Sequence, residues 1–189
     1  FCDDGGFITA CDGSDIGIYV FKIDANGNAL WGNRYSTATF ENTPGYTISK
    51  ASDGGYVISG ITYVLEDTVS GTYSTRPMIT KINSAGNFMW SRMYTNETNS
   101  ISYIAYAIGT PDGGYAMVSS SNYGYYIYPQ LTKLDPSGIP LWTKYYTLGY
   151  YSSIGANTIK NTSDEGFLIT ANNSDSVTFN TYGYLIKTD

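Results

Sequence analysis

Short runs of apolar and aromatic residues alternate along the whole chain with clusters of Gly, Asp, Asn and Ser. No stretch of helical length carries the 3.6-residue period, so the pattern predicts strands only. One set of strands directly follows a glycine: Phe7-Ile8-Thr9-Ala10, Tyr56-Val57-Ile58-Ser59, Tyr115-Ala116-Met117-Val118 and Phe167-Leu168-Ile169-Thr170. These are apolar on both faces, as expected of strands covered from both sides. A second set ends at a lysine: Tyr19 to Ile23, Met78 to Ile82, Leu131 to Leu134 and Tyr184 to Lys187. A third runs through a tryptophan to Tyr35, Tyr94 or Tyr146. A weaker fourth covers Tyr46 to Lys50, Ile104 to Ile108 and Asn157 to Lys160. The segments between the first and second strands, Val64 to Arg76 above all, are expected to be variable loops.

Two motifs recur in fixed register. Lys22, Lys81 and Lys133 each stand nine residues before Trp31, Trp90 and Trp142, with Gly27, Gly86 and Gly138 at one shared offset. Between Lys and Trp lies an Asp/Asn-x-x-Gly turn, whose Gly takes the positive φ that closes a tight hairpin. The other motif is Asp4-Gly5-Gly6-Phe7, Asp53-Gly54-Gly55-Tyr56, Asp112-Gly113-Gly114-Tyr115 and Asp164-Glu165-Gly166-Phe167. From each Trp to the next of these Asp residues is 22 positions (31 to 53, 90 to 112, 142 to 164). The motifs therefore belong to one repeat, cut here as units 4–52, 53–111 and 112–163 and a half-unit 164–189. The fourth Lys, Lys187, is expected to end a half-unit whose open edge invites strands from flanking sequence or from a neighbouring copy, head to tail.

Four short strands per repeat predict an all-β fold, and within it a β-propeller of about four units, the last one incomplete, alone or as a segment of a larger propeller. A sandwich offers no reason for one motif at fixed register. The Lys-x-Asp-x-x-Gly-x-x-x-Trp stretch resembles the repeats of quinoprotein-like (PQQ-like) propellers. With Asp-Gly-Gly-Tyr, it resembles the repeat arrays of secreted and surface proteins. The resemblance implies that each Trp docks as a spacer against the neighbouring blade. It carries no cofactor, because nothing here matches a quinone or catalytic calcium centre.

Composition narrows the chemistry. With no His among 189 residues, Ser-His-Asp triads and His-ligated metals are excluded. A net charge of −6 with ten scattered Lys and Arg excludes a nucleic-acid footprint. No apolar run is long enough to span a membrane. Charged residues make up only 14% and aromatics 16%, with Ser and Thr filling the polar positions, which points to an extracellular or cell-surface setting. Cys2 and Cys11 are too few for a disulfide framework, and a bridge between them requires irregular geometry.

The candidate residues are mostly structural. Asp4, Asp53, Asp112 and Asp164 recur as turn formers, and Lys22, Lys81, Lys133 and Lys187 are expected to lay their stems on apolar surface and reach a turn carboxylate or water. Asp24-Ala25-Asn26-Gly27-Asn28 has part of a calcium loop but lacks its bidentate Glu. Asp3, Asp4, Asp12 and Asp15 form the one acidic cluster, and a solvated rim is the better reading of it. The sequons at Asn96, Asn161 and Asn172 are as many as chance supplies in so Ser- and Thr-rich a chain. Tyr123, Tyr125, Tyr126 and Tyr128, with Tyr150 and Tyr151, are the binding candidates, since exposed Tyr clusters serve glycan stacking and protein contacts. The functional expectation is a non-catalytic structural or protein-binding module; a lectin-like propeller is the alternative, and a glycoside hydrolase with a carboxylate pair the third.

Overall fold

A computed structural model describes residues 2–12, 17–36, 45–95, 102–123, 126–146, 152–175 and 181–189. Among them there are fourteen strands and no helix. The first sheet holds β1 (Phe7–Asp12), β2 (Ile18–Ile23) and β3 (Ala29–Tyr35) in that order. The second holds β4 (Gly45–Lys50), β5 (Tyr56–Asp67), β6 (Thr72–Ile82) and β7 (Phe88–Met93), also in chain order. The third joins two further antiparallel meanders. One is β8 (Ser102–Gly109), β9 (Tyr115–Tyr123), β10 (Tyr126–Leu134) and β11 (Pro140–Tyr145); the other is β12 (Ser152–Asn161), β13 (Phe167–Asp175) and β14 (Thr181–Lys187). A single parallel pair, Ile127 with Ser153, links them.

The four meanders repeat one register. Lys and Trp of the first three are cross-strand partners: Lys22 faces Trp31, Lys81 faces Trp90 and Lys133 faces Trp142, each just before a one-residue irregularity in the ladder. The nine-residue spacing is thus a hairpin arm plus its turn. From the second onward, each hydrogen-bonded meander begins one strand earlier than the Asp-to-Asp repeat, because the turn at the repeated Asp pairs the strand before it with the strand after it, as in Lys50 opposite Tyr56.

Each apolar core lies between successive meanders. Val20, Tyr56, Ile58, Met78 and Ile82 fill the first; Val57, Ile79, Ala107, Tyr115, Met117 and Leu134 the second; Val118, Leu131, Ile159, Phe167 and Ile169 the third. Alternate residues of β5 face different cores, Ile58 one and Val57 the other. A strand covered on both sides has no polar face, which explains its continuous apolar reading. Serines tie the layers together: Ser59 Oγ accepts the Ala107 N–H at 2.8 Å, and Ser120 Oγ accepts that of Ala156 at 3.0 Å.

Two segments expected as loops are strand. Val64 to Arg76 continues β5 and β6 as one long hairpin, with Val64 opposite Ser74 and a turn at Gly71 (φ 68°). Arg76, buried, closes it by donating to Glu66 at 2.7 Å. β-Branched and aromatic residues (Val64, Thr72, Tyr73 and Thr75) stand among the polar ones here, and cross-strand pairing gives the facing backbone groups their partners. Tyr123 and Tyr126 likewise end and begin paired strands, directly opposite each other.

The two glycines of the Asp-Gly-Gly turn have different duties. The first supplies positive φ: 75°, 78° and 88° at Gly5, Gly54 and Gly113. In the fourth copy Glu165 stands there at φ 65°, where an L-residue is strained. Glu165→Gly is accordingly expected to raise unfolding stability by about 1 kcal/mol in urea titration. The second glycine supplies space, since a Cβ on Gly6, Gly55, Gly114 or Gly166 would lie 2.0–2.4 Å from a backbone carbonyl oxygen. That position is Gly in all four copies.

Candidate functional site

The repeated charges form a clasp at each turn. The N–H of Gly55 donates to Asp53 Oδ1 at 2.9 Å, and those of Gly6, Gly114 and Gly166 donate to Asp4, Asp112 and Asp164 in the same way. A lysine from the following strand completes each one: Lys22 to Asp4 at 2.5 Å, Lys81 to Asp53 at 2.9 Å, Lys133 to Asp112 at 2.8 Å and Lys187 to Asp164 at 2.7 Å. Lys81 and Lys133 also donate to the carbonyl of the next residue. Solvent reaches these ammonium groups unequally, with side-chain exposures of 13, 1, 11 and 43% in chain order.

The carboxylates titrate accordingly. Lys22 holds Asp4 below its usual range. Burial pushes Asp53 up, but Lys81 and the Gly55 N–H outweigh it and the net shift is downward. Lys133, then the Thr110 hydroxyl, hold Asp112 down to about 2. Lys187 and the Thr162 hydroxyl hold Asp164 well below the usual range. These acids are ionised and already engaged, so none is free to donate a proton near neutral pH.

A second clasp binds one meander to the next. Tyr35 donates its hydroxyl to Gly86 O at 2.5 Å, and Tyr94 donates its own to Gly138 O at 3.0 Å. Two residues before each Tyr stands a donor to the same turn: Asn33 to Gly86 O at 3.0 Å, Arg92 to Ser137 O at 2.7 Å. Trp31 and Trp90, half-buried, cover those glycines so closely that a Cβ on Gly86 or Gly138 would meet the ring at 3.0 or 2.8 Å. Trp90 also meets the Tyr115 ring edge-on at 5.6 Å. The third set, Trp142, Lys144 and Tyr146, has the same spacing but holds no turn among the described residues. Trp142 is 39% exposed, so this ring is not the buried spacer that the resemblance implies.

A cleft of about 510 Å3 opens where the second meander meets the third, lined by Ser91, Arg92, Gln130, Thr132 and Thr143 among others. Gln130 donates to Thr132 Oγ1 at 3.3 Å, while its buried Oε1 has no partner among the described residues. Among the described residues, none that lines this cleft carries a carboxylate. Such a lining can hold a hydroxyl-rich ligand. A smaller cleft of about 370 Å3 between the third and fourth meanders contains Asp112, Lys133 and Glu165.

The candidates from sequence disperse. Tyr128 is half-buried on β10 opposite Ser121; Tyr125, Tyr150 and Tyr151 lie outside the described residues, as do Asn96 and Asp15. Asn161 donates its amide to Gly109 O at 2.8 Å, and Asn172 is exposed on β13. Of the acidic cluster, Asp3 pairs with Lys50 and Asp4 with Lys22. Asp24 turns both carboxylate oxygens inward, accepting from the Asn26 and Asn28 N–H groups and from the Asn28 amide. Asn83 and Asp135 cap their own turns similarly. Among the described residues, no group of three or more His, Cys, Asp or Glu is placed to hold a metal ion. Cys2 and Cys11 are free thiols, one buried and one exposed. Among the described residues no helix is long and apolar enough to cross a membrane.

The donors Asn33 and Arg92 escape a reading by motif, because different residue types fill one position, with Lys144 at the same place in the third copy. Their offset from the repeated Trp was the available signal.

No family model matches the sequence, and no curated protein matches it. Among solved structures, the chain is similar to a mannose phosphorylase from Leishmania mexicana in complex with phosphate ion (TM-score 0.47, 10% identity). That likeness covers 97% of this chain and 63% of the other, so the chain spans less than two thirds of that protein. It is also similar to a hypothetical protein from Leishmania major (TM-score 0.40, 11% identity), over 98% of this chain and 86% of that one. At these scores neither likeness carries an argument about activity.

Proposed function

We propose that the chain is a non-catalytic β-propeller module, extracellular or at the cell surface, that serves structure and protein binding. The observation that carries this reading is the fate of the repeated carboxylates. All four are ion-paired to a lysine and bonded to a glycine N–H, so the residues most suited to catalysis are spent on holding turns. What supports a radial arrangement is the meander-to-meander clasp, which recurs from the first meander to the second and from the second to the third. The family resemblance to quinoprotein-like and Asp-Gly-Gly-Tyr repeats belongs to the same proposal. The sparse charge and abundance of Ser, Thr and Tyr support the setting.

A second reading, a lectin-like module, is favoured by one feature: the 510 Å3 cleft, in which Gln130 Oε1 has no partner among the described residues and whose lining includes Arg92, Ser91, Thr132 and Thr143. A glycan array and a panel of chromogenic glycosides separate the readings. The structural module is expected to leave both blank. Array binding lost in Gln130→Ala would establish the lectin. Hydrolysis lost in Glu165→Gln, in the smaller cleft, would establish the hydrolase and overturn the proposal.

A further inference from the structure

One pair of buried positions changes its chemistry between the second meander and the third. Three residues before the repeated lysine of the second stands Met78, paired with Gly60 on the neighbouring strand. Met78 is buried and fills the core against the first meander. At the same place in the third meander stands Gln130, paired with Ser119, so a polar couple replaces an apolar one. Gln130 and Ser119 are 7% and 1% exposed, and neither Gln130 Oε1 nor Ser119 Oγ has a partner among the described residues. A buried oxygen left unpaired is destabilising, and the Met78 copy carries none. Gln130 lines the 510 Å3 cleft on the side of the second meander.

Arg92 is the one charged residue among the described residues that line this cleft. Its Nε donates to Ser137 O at 2.7 Å and its Cζ lies over the Trp90 ring at 6.0 Å. These contacts hold the guanidinium in place and leave its two Nη nitrogens without a hydrogen bond among the described residues. Thr132 and Thr143 share a hydrogen bond of 3.2 Å on the wall of the third meander. Asp135, in the turn that carries Gly138, accepts from the Ser137 and Ile139 N–H groups. The cleft thus presents a half-paired amide, two hydroxyls and a planar cation. A ligand hydroxyl answers either end of the amide, being donor and acceptor, and a carboxylate matches the two Nη groups.

We propose that this cleft is a binding site for a small, free polyhydroxy carboxylate, its carboxylate on Arg92 and one hydroxyl on Gln130 Oε1. Its 510 Å3 falls within the range that encloses a single small ligand. The guanidinium selects acids over neutral polyols through two parallel hydrogen bonds. The buried amide selects hydroxy acids over plain ones, because a ligand without hydroxyls leaves Oε1 unpaired. A net charge of −6 disfavours anions over the surface at large, so one site per chain is expected. The site adds a small-molecule ligand to the structural role proposed above. It needs no tethered glycan, and so it stands or falls apart from the lectin reading.

The test is titration calorimetry of the whole chain with ribonate, ribitol and pentanoate at constant ionic strength. These share one carbon chain, the second lacking the carboxylate and the third the hydroxyls. Ribonate is expected to saturate one site with half-saturation at about 1 mM or below, and the other two to bind at least about tenfold more weakly. Arg92→Asn, which copies the clasp donor Asn33, should weaken ribonate at least about tenfold. Gln130→Met, which copies Met78, should weaken it about fivefold to tenfold. The same variant should raise the urea midpoint of the free chain, which a merely structural glutamine would lower. No saturation by about 10 mM ribonate, equal binding of ribitol or pentanoate, or unchanged binding in Gln130→Met would overturn the assignment. Ribonate binding beside a blank glycan array would uphold this site and remove the lectin.

Discussion

Gly55→Ala is expected to cost about 4 kcal/mol or more, enough to leave much of the chain unfolded. The added Cβ would lie 2.4 Å from the Ile82 carbonyl oxygen and 2.3 Å from the Lys81 ammonium. The carbonyl is backbone and cannot swing aside, because β6 is paired on both sides. The ammonium can move only by leaving Asp53, so the substitution overpacks the turn and strips the buried Lys81 of its half-exposed partner together. Gly54→Ala is the control. Its Cβ would meet nothing within 4 Å, and only the strain at φ 78° remains, about 1 kcal/mol. Urea titrations of the two neighbours therefore separate space from backbone freedom within one motif.

Asp53→Ala is the second large effect, about 2–3 kcal/mol, and it arises from the residue left behind. Lys81 is 1% exposed and keeps only the Ile82 carbonyl when the carboxylate is gone. The cost falls short of that of a wholly buried pair because the Asp53 side chain is 52% exposed. Adding Lys81→Met should recover most of the loss, since a stem of similar volume needs no counter-charge. Asp164→Ala, beside the 43% exposed Lys187, should leave stability nearly unchanged. Equal losses at Asp53 and Asp164 would show that burial of the lysine does not set the cost.

Much of this was legible in the sequence, for identifiable reasons. The continuous apolar runs from Tyr56 and Tyr115 reported strands covered on both faces, as Val57 and Ile58 are by two different cores, whereas the run from Phe7 is covered on one side only, with Phe7 and Thr9 exposed. The Lys-to-Trp spacing reported a hairpin arm, because cross-strand partners keep a fixed separation when the turn length is fixed. What failed was local polarity. Thr62, Ser74 and Arg76 read as loop, yet they are buried in the long β5–β6 hairpin, where Glu66 accepts from both Ser74 and Arg76. The glycine motif hid two requirements under one letter pair, and the Glu165 copy separates them, since a strained φ is tolerated and a carbonyl collision is not. The docking of Trp onto the next turn could be expected only by resemblance. It depends on how meanders face one another, which no spacing within the chain encodes.

The direct measurement of that sequential docking is the stability of three variants, Trp31→Ala, Trp90→Ala and Trp142→Ala, followed by urea titration with far-ultraviolet circular dichroism. Trp31 and Trp90 each hold the following turn, and their removal is expected to cost about 3 kcal/mol apiece. Trp142, exposed and holding no turn among the described residues, should cost about 1 kcal/mol or less. A Trp142→Ala loss as large as that of Trp90→Ala, or no loss at Trp31 and Trp90, would contradict the docking of each meander onto the next.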